Sequence, residues 1–416
     1  MARAFFSRRP FAFHIFPIFA TQNTFTAVNL IFDYKSVSFI ILSIFVLCLL
    51  IQLFYHWGVF SKVAFFKKEG RPKLDEELEP ASIVLCARNA YEYLVELIPA
   101  LLKQDYPDFE IVVVNDCSDD ETEEYLKDLE RHEPRVKPVQ LKQHLNFFNG
   151  KKFPLSMGIK SAQNDLLVLT DCNCIPVNDQ WLRSVANRYR SGTEMVIGYS
   201  PYVQQKSVLN RIMRFDALQN GLLYLSAALN RHPYRGMGKN LSYRKTLFYR
   251  NKGFISHYTT SVGDDDLFVG QVANKNNTEV LIDAENGILT SPTRSFALWM
   301  RQKSSRYSTV TRYGTRARLS LGLFHLSRTF FHASFVALLC LSAQPAFSIT
   351  GGAMLYIPIL SFLFLLRYGT LLFVYHKASK RLGEKGLLPG LIVYDFLFAV
   401  LSPWQRLLGR MKVGVE

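Results

Sequence analysis

The segment NDLLVLTDCNCIP, residues 164–176, decides the fold of this chain. Its first part, NDLLVLTD, predicts a buried strand that ends at Asp171, and Asn173 follows two residues later. An aspartate at a strand end is most often a turn former, because its carboxylate accepts hydrogen bonds from the nearby backbone. A carboxylate beside an amide oxygen also offers the hard oxygen ligands that a divalent ion prefers. The flanking sequence has to decide between a turn and a metal site.

Short apolar runs and helical patterns alternate on both sides of this segment. The runs ASIVLCA and FEIVVVN predict two earlier strands, and YEYLVELIPALLKQ and DETEEYLKDLERH predict the helices that follow them. This alternation predicts an α/β domain over residues 80–290 with a mostly parallel sheet. Such sheets bind ligands at the carboxyl ends of their strands, so chemistry is expected there.

The predicted strand ends carry polar clusters. The three strands run into CARN, NDCSDD and TDCNC. Between the second and third lies NGKKF, where Lys151 or Lys152 has the charge to neutralise a phosphate. A charge pair of this kind is also common on a solvated face, and both interpretations stay open.

Two further motifs lie downstream. In GMGKNLSYRK, Gly238 lets the backbone approach a ligand, while Lys239 and Asn240 have groups that bind oxygens. The alternative is a glycine turn before a surface helix. In SVGDDDLF three consecutive carboxylates, Asp264–Asp266, repel one another, and such repulsion raises a pKa toward the range of a general base.

The chain also predicts membrane segments. It has 416 residues and a net charge of +15, yet no charged residue occurs between Ser36 and Ser61. Residues 37–60 are long enough to cross a bilayer as a helix. A helical hairpin is predicted over residues 319–376, with Arg328 and Arg367 near the ends of its apolar cores, where their side chains reach the interface.

The basic residues predict the orientation. Lys and Arg residues follow both the first span and the hairpin, whereas the hairpin turn has no charge, which places the 80–290 domain in the cytoplasm. Residues 291–318, with the basic and aromatic stretch WMRQKSSRYSTVTRYGTRAR, suit an interfacial segment. Residues 387–404 contain Asp395 and are short, so an interfacial, re-entrant or third C-terminal membrane segment is expected.

The six cysteines are scattered and form no disulfide framework. Cys172 and Cys174 lack the further ligands that a zinc site needs. Residues 1–36 are basic and aromatic, which suggests a poorly ordered extension or translated upstream sequence, and they are set aside.

The order of these motifs resembles the family-2 inverting glycosyltransferases with a GT-A fold, in the membrane-embedded branch that includes cellulose, hyaluronan and poly-N-acetylglucosamine synthases. The resemblance covers residues 82–307. SIVLCARN is similar to the first nucleotide-binding strand and loop, which implies a donor-binding role for Arg88 and Asn89. VVVNDCSDDET is similar to the family's second motif, so Asp116 matches the aspartate that holds the uracil or ribose.

The remaining motifs match with substitutions. TDCNC resembles the metal-binding DxD, with Asn173 in place of the second acid. GDDDL resembles the acceptor-side ED motif, in which Asp265 takes the place of the general base and Asp264 that of the glutamate. QKSSRY resembles QxxRW, which gives Gln302 and Arg306 as donor-binding matches.

The resemblance implies transfer of a sugar from a nucleotide sugar, with UDP expected as the nucleotide, to a lipid-linked or membrane-associated glycan. A divalent metal, Mg²⁺ or Mn²⁺, is expected at Asp171 and Asn173, and membrane lipids but no nucleic acid are the expected partners. Processive polysaccharide synthesis and a degenerate, non-catalytic homologue remain alternatives. A nucleotidyltransferase or a membrane scaffold is less consistent with QKSSRY before the hairpin and with the aspartate triplet.

Overall fold

The computed structural model describes residues 34–67, 72–142, 150–260, 262–343 and 352–413. Nearly all of the N-terminal extension, the predicted hairpin turn and two of the basic residues after the first span, Lys68 and Arg71, lie outside these ranges.

In the described part of the chain, nine strands form two sheets. They are β1 Ala81–Ala87, β2 Phe109–Asp116, β3 Val136–Leu141, β4 Leu166–Leu169, β5 Cys174–Pro176, β6 Met195–Gly198, β7 Leu241–Arg244, β8 Thr278–Leu281 and β9 Ile288–Thr290. The main sheet has the order β3-β2-β1-β4-β7-β6-β8, in which β7 alone runs antiparallel to its neighbours. Strands β5 and β9 pair antiparallel in the second sheet. The predicted mostly parallel sheet is confirmed.

Thirteen α-helices complete the described part of the chain. They are α1 Tyr34–Phe54, α2 Ser61–Ala64, α3 Tyr91–Leu102, α4 Thr122–His132, α5 Lys152–Ser161, α6 Trp181–Ala186, α7 Val208–Leu229, α8 Lys245–Arg250, α9 Asp266–Val272, α10 Phe296–Ser308, α11 Thr315–Ser342, α12 Gly352–Arg381 and α13 Leu391–Val413. A π-helical segment, Tyr55–Phe60, joins α1 to α2.

Both faces of the parallel strands are buried by helices. On one face Ile83 and Ile111 pack with Leu97 of α3, and on the other Val84 packs with Ile159 of α5. Apolar side chains therefore fill consecutive positions of β1 and β2, as expected for strands covered on both sides.

Gly158 allows helix α5 to lie close to the sheet. A Cβ atom at this position would stand 2.8 Å from Val84 Cγ1 and 2.8 Å from Val114 Cγ2, which is closer than van der Waals contact permits. This close approach brings the N-terminus of α5, with Lys151 just before it, to the strand ends.

Strand β4 ends earlier than the sequence predicts. Its last residue is Leu169, and the Cys174 amide donates a 3.0 Å hydrogen bond to the Asp171 carbonyl. The predicted strand end at Asp171 is therefore wrong by two residues, because Asp171 opens a turn that leads into β5.

Among the described residues, four helical segments are long and apolar enough to cross a membrane. They are Ser36–Ala64, Thr315–Ser342, Tyr356–Arg381 and Leu388–Gln405. The fourth covers the C-terminal stretch for which the sequence left crossing, re-entrant and interfacial positions open. The interfacial segment predicted over residues 291–318 contains helix α10, which ends at Ser308, and a 3₁₀ turn that follows it. Helix α11 begins at Thr315, inside the predicted segment.

The two arginines of the predicted hairpin do not reach the interface. Arg328 and Arg367 are both fully buried between helices, which corrects the expectation from sequence. Arg367 Nη1 donates to Asp395 Oδ2 at 2.7 Å, and its Nη2 donates to Gln52 Oε1 at 2.9 Å. A cation inside a helical bundle needs such partners, because an unpaired charge in an apolar environment is costly.

Replacing Asp395 with leucine is expected to destabilise the bundle by about 3 kcal/mol, because Arg367 would remain buried without its counter-charge. Thermal unfolding in detergent would show a lowered midpoint. The double variant Arg367→Met and Asp395→Leu is the control, since removing both charges should restore much of the stability. A double variant as unstable as the single one would contradict the pairing.

Candidate active site

The carboxyl ends of three adjacent parallel strands meet at one edge of the sheet. In register, Val84 of β1 lies beside Val112 of β2 on one side and Leu169 of β4 on the other. Asp116 is the last residue of β2, and the loops after β1 and β4 carry Arg88 and Asp171. The sheet therefore brings together polar groups that lie up to 83 residues apart in the chain.

The loops after β1 and β2 are joined by Asn89. Its Oδ1 accepts a 2.8 Å hydrogen bond from the Asp119 amide, and its own amide donates to Ser118 Oγ at 3.0 Å. Asn89 has a positive φ of 49°, a conformation that asparagine tolerates better than most residues. The structure thus gives Asn89 a loop-bridging role, while the neighbouring Arg88 is exposed and Asp116, the last residue of β2, is half-buried.

Asp171 is surrounded by cations. Its Oδ1 forms an ion pair with Lys151 Nζ. Burial would raise the pKa of this carboxyl, but Lys151, Lys239 and Arg306 outweigh that effect and lower the pKa to about 2. Asp171 is therefore a carboxylate at any physiological pH, and three cations stand around it.

The two lysines of the NGKKF motif have different environments. Lys151 faces Asp171, whereas Lys152 Nζ donates to the carbonyl oxygens of His257 and Thr260 at 2.6 and 2.7 Å. Lys152 is 2% exposed. Lys152 therefore anchors the loop before the aspartate triplet, and of the two predicted phosphate-binding lysines only Lys151 lies beside Asp171.

The aspartate triplet separates into three environments. Asp266 is buried, and its Oδ2 accepts hydrogen bonds from Thr309 Oγ1 and Tyr313 OH. Burial raises the pKa of Asp266, and the neighbouring Asp265 carboxylate adds to this. Asp266 is held by the segment after α10 and has a structural role in joining the sheet domain to that segment.

Asp265 is the N-cap residue of helix α9. Its Oδ1 accepts the Asp266 amide at 2.7 Å, and its Oδ2 accepts the Gly238 amide at 3.0 Å. These two bonds fix the orientation of the carboxylate. The sequence predicted that the Gly238 backbone contacts a ligand. In this structure the Gly238 amide instead contacts the Asp265 carboxylate.

Asp264 is half-buried and faces the cationic centre. Burial raises the pKa of its carboxyl to about 7, with further increases from Asp265 and Asp171 and an opposing effect of Lys151. Within the triplet, Asp264 thus lies on the side of Asp171 and its cations, and Asp265 lies beside the Gly238 amide.

The motif GKN is also divided. Lys239 lies close enough to lower the pKa of Asp171, and its Nζ stands 5.2 Å from the ring centre of Tyr202. Asn240 is buried and bonds to Trp181 Nε1 at 3.2 Å and to the Tyr199 carbonyl at 2.9 Å. Lys239 therefore belongs to the Asp171 centre, and Asn240 joins β7 to its neighbours.

Helix α10 contributes the cation that completes this centre. Arg306 is partly buried, and it lines a cavity of about 40 Å³ together with Lys239 and Tyr199. Gln302 lines the same cavity but is exposed. The sequence interpretation did not find Lys303 and Asp216, which form a 2.7 Å ion pair in the wall of this cavity. Nothing local marks Asp216, which lies inside the apolar helix α7.

Residues 82–257 match the family model described as Glycosyl transferase family 2. This part of the chain, which is less than half of its length, is therefore similar to the family-2 glycosyltransferases. The predicted resemblance is confirmed for this part of the chain.

Curated relatives of this glycosyltransferase domain are distant. An uncharacterized glycosyltransferase of Haemophilus influenzae is 26% identical over 123 residues, which is 30% of this chain and 36% of that protein. A poly-beta-1,6-N-acetyl-D-glucosamine synthase of Staphylococcus epidermidis is 26% identical over 169 residues, 39% of this chain and 40% of that protein. The chain thus spans well under half the length of these two relatives.

A solved structure confirms the GT-A fold. The mannosyltransferase PcManGT from Pyrobaculum calidifontis, in complex with GDP-Man and Mn²⁺, superimposes with a TM-score of 0.55 at 17% identity. The alignment covers 84% of this chain and 99% of that chain.

The glycosyltransferase domain offers few ligands for a resident metal. No group of three or more His, Cys, Asp or Glu side chains is arranged around a common point within the described ranges. Asn173 Nδ2 points to the Ser291 carbonyl at 3.5 Å. Asp171 is thus a single carboxylate, which fits Mg²⁺ or Mn²⁺ held jointly with substrate phosphates, the usual mode for Mg²⁺.

Proposed function

We propose that this protein is an inverting glycosyltransferase that moves a sugar from a nucleotide sugar to a lipid-linked or membrane-associated glycan at the cytoplasmic face of the membrane. One observation carries the proposal: the Asp171 carboxylate with its three cations and the Asp264–Asp265 pair lie at the same edge of a GT-A sheet. The first group suits a diphosphate, and the second suits a proton acceptor.

The donor would lie across the strand ends. Arg88, just after β1, and Asp116, the last residue of β2, would contact the nucleoside at the edge of the sheet. Lys151, Lys239 and Arg306 would neutralise the charge that gathers on the leaving diphosphate. A divalent ion at Asp171, when bound, would add further positive charge there.

The acceptor hydroxyl would attack the anomeric carbon from the opposite side. A bond forms between the hydroxyl oxygen and that carbon, the bond to the diphosphate oxygen breaks, and the hydroxyl proton moves to the Asp265 carboxylate. The nucleoside diphosphate leaves with the electron pair. One displacement inverts the configuration and requires no covalent nucleophile.

The number of membrane segments favours addition of single sugars. A processive enzyme needs a channel for its polymer, and the three candidate spans after the α/β domain, Thr315–Ser342, Tyr356–Arg381 and Leu388–Gln405, would form a thin one. We therefore place single addition before processive synthesis.

Release of a nucleoside diphosphate from a panel of nucleotide sugars tests the proposal. UDP sugars are tested first. UDP-N-acetylglucosamine is the first of these, because one relative is named as a poly-beta-1,6-N-acetyl-D-glucosamine synthase. GDP-mannose is the second donor to try. Absence of release from the whole panel, with and without a membrane lipid extract, would favour the non-catalytic alternative.

The change Asn173→Asp is expected to strengthen metal dependence. It restores a second acid close to Asp171, and an added anionic oxygen should lower the Mg²⁺ or Mn²⁺ concentration for half-maximal activity by about tenfold. A metal titration of both forms measures this. Asn178→Asp is the matched control, because Asn178 is exposed farther along the same segment.

The competing account of Asn173 is that its amide only holds the turn against Ser291. In that case a new charge beside Asp171 would repel it, and the metal midpoint would stay unchanged or rise. That result would mean that Asp171 binds the ion without Asn173.

Cysteine labelling tests the cytoplasmic orientation, which the basic residues after the first span and after the hairpin motivate. In a background without the native cysteines, Asp128→Cys on α4 should resist an impermeant thiol reagent in intact cells and react after lysis. A second variant that retains Cys340 as its single cysteine is the control, because Cys340 is exposed near the far end of α11 and should react from outside. The reverse pattern would overturn the orientation.

A further inference from the structure

A large cavity in the described part of the chain lies between the α/β domain and the membrane helices. Its volume is about 1140 Å³, which is above the usual range for small-molecule sites. One wall comes from the end of α1 and the π-helical segment, and another from the start of α11. The third wall comes from α9 and the turn after α7.

The membrane end of this cavity is apolar. Phe54 and Val59 line it from the first membrane helix, and Ala317 and Leu321 line it from α11. The two helices are joined beside it, where Tyr55 OH donates to the Ser320 carbonyl at 2.7 Å. Phe54 is 61% exposed and lies in a candidate membrane span, so its exposed face would contact lipid. An aliphatic chain therefore has an apolar path from the bilayer into the cavity.

The charged part of the cavity lining is mainly cationic. Its charged lining residues are four cations, Arg231, Lys275, Arg312 and Arg316, and one acid, Asp266. No ion pair of these four cations is found within the described ranges. Burial and Lys152 lower the pKa of His257, and Arg312 adds to this effect, which places Arg312 near His257. An excess of unpaired cations at the membrane interface is suited to phosphate.

The cavity also adjoins the aspartate triplet. Asp266 lies in its wall and is 4% exposed, and Asp266 Oδ1 has no hydrogen-bond partner among the described residues. A buried polar atom without a partner is uncommon in a protein and points to a bound group with a hydroxyl or amide donor. Asp265, the proposed base, is the preceding residue.

We infer that this cavity binds the acceptor, and that the acceptor is a lipid that carries a phosphate or diphosphate. The lipid chain would lie between α1 and α11, the phosphate would contact Arg312 and Arg316, and the sugar beyond it would extend past Asp266 toward Asp265. This inference rests on the proposed function and names the class of its acceptor.

Photo-crosslinking tests the inference without requiring turnover. The probe is farnesyl phosphate that carries a benzophenone, applied to the full chain in detergent, with farnesyl phosphate, farnesol and phosphatidylglycerol as competitors. Labelled peptides should include the 54–59 and 317–321 segments. Farnesyl phosphate should compete at least about tenfold better than either farnesol or phosphatidylglycerol, because only it combines a single chain with an exposed phosphate.

The variant carrying Arg312→Gln and Arg316→Gln should lose labelling by about tenfold or more. Arg318→Gln is the matched control, since Arg318 is exposed on the same helix and does not line the cavity. Equal competition by farnesol would show that the phosphate is not recognised, and equal competition by phosphatidylglycerol would indicate a site for bulk lipid. Either result overturns the inference.

Two activity measurements separate this inference from the proposed function. Farnesyl phosphate should inhibit transfer to a membrane lipid extract, and it should leave acceptor-free hydrolysis of the nucleotide sugar unchanged. Labelling of the cavity without inhibition of transfer would assign it to a resident lipid and refute the acceptor role. If the unmodified protein released no nucleoside diphosphate from any donor, with or without the lipid extract, the proposed function itself would be refuted, whatever the probe labels.

Discussion

The variant Asp265→Asn is expected to transfer sugar about a thousandfold more slowly than the unmodified protein while it binds the donor normally. An acceptor hydroxyl is a poor nucleophile, and an amide cannot take its proton as the new bond forms. The backbone amides of Gly238 and Asp266 still orient the asparagine through its oxygen, so the fold should persist. Single-turnover transfer and equilibrium donor binding measure the two effects separately.

Asp264→Asn distinguishes the two candidates for the base. Asp264 faces the cationic centre, so its loss should change donor affinity and its pH dependence more than the rate of transfer at saturating donor. If Asp265→Asn retained near-normal turnover and Asp264→Asn did not, the base would be Asp264, whose pKa near 7 also suits that role.

The variant Asp171→Asn is expected to lower transfer by about a hundredfold to a thousandfold. The carboxylate lies beside Lys151, Lys239 and Arg306, and its removal disturbs the charges that would contact the leaving diphosphate. Donor affinity and metal dependence should fall together. Steady-state rates over a range of metal and donor concentrations measure these changes.

Asp179→Asn is the matched control for this variant. Asp179 is an exposed aspartate in the loop after β5, and removing its charge should leave donor affinity and metal dependence unchanged. Normal metal dependence in Asp171→Asn would show that the turn interpretation of this residue is right and that TDCNC has no role in metal binding.

Local sequence was sufficient for the parallel strands. β1 and β2 are continuous apolar runs because helices cover both of their faces, and a run of that kind can be recognised without any tertiary information. The membrane segments were recognisable for a similar reason, since about 20 apolar residues are needed to cross a bilayer.

The sequence did not reveal how individual side chains are used. Lys151 and Lys152 are adjacent and alike in sequence, yet one faces Asp171 and the other binds the carbonyl oxygens of His257 and Thr260. Lys151 precedes α5 and Lys152 opens it, so their side chains point in different directions, and the direction of each depends on how α5 packs on the sheet through Gly158.

The sequence by itself determined the fold class, the family resemblance and the membrane segments, because each depends on patterns within a short stretch of chain. Tertiary structure alone decided which residues meet. Arg367 was expected at the interface but pairs inside the bundle with Asp395, 28 residues away. The cations around Asp171 come from segments near residues 151, 239 and 306, and the large cavity joins α1 to α11. Such contacts depend on the packing of distant elements, and no local pattern encodes it.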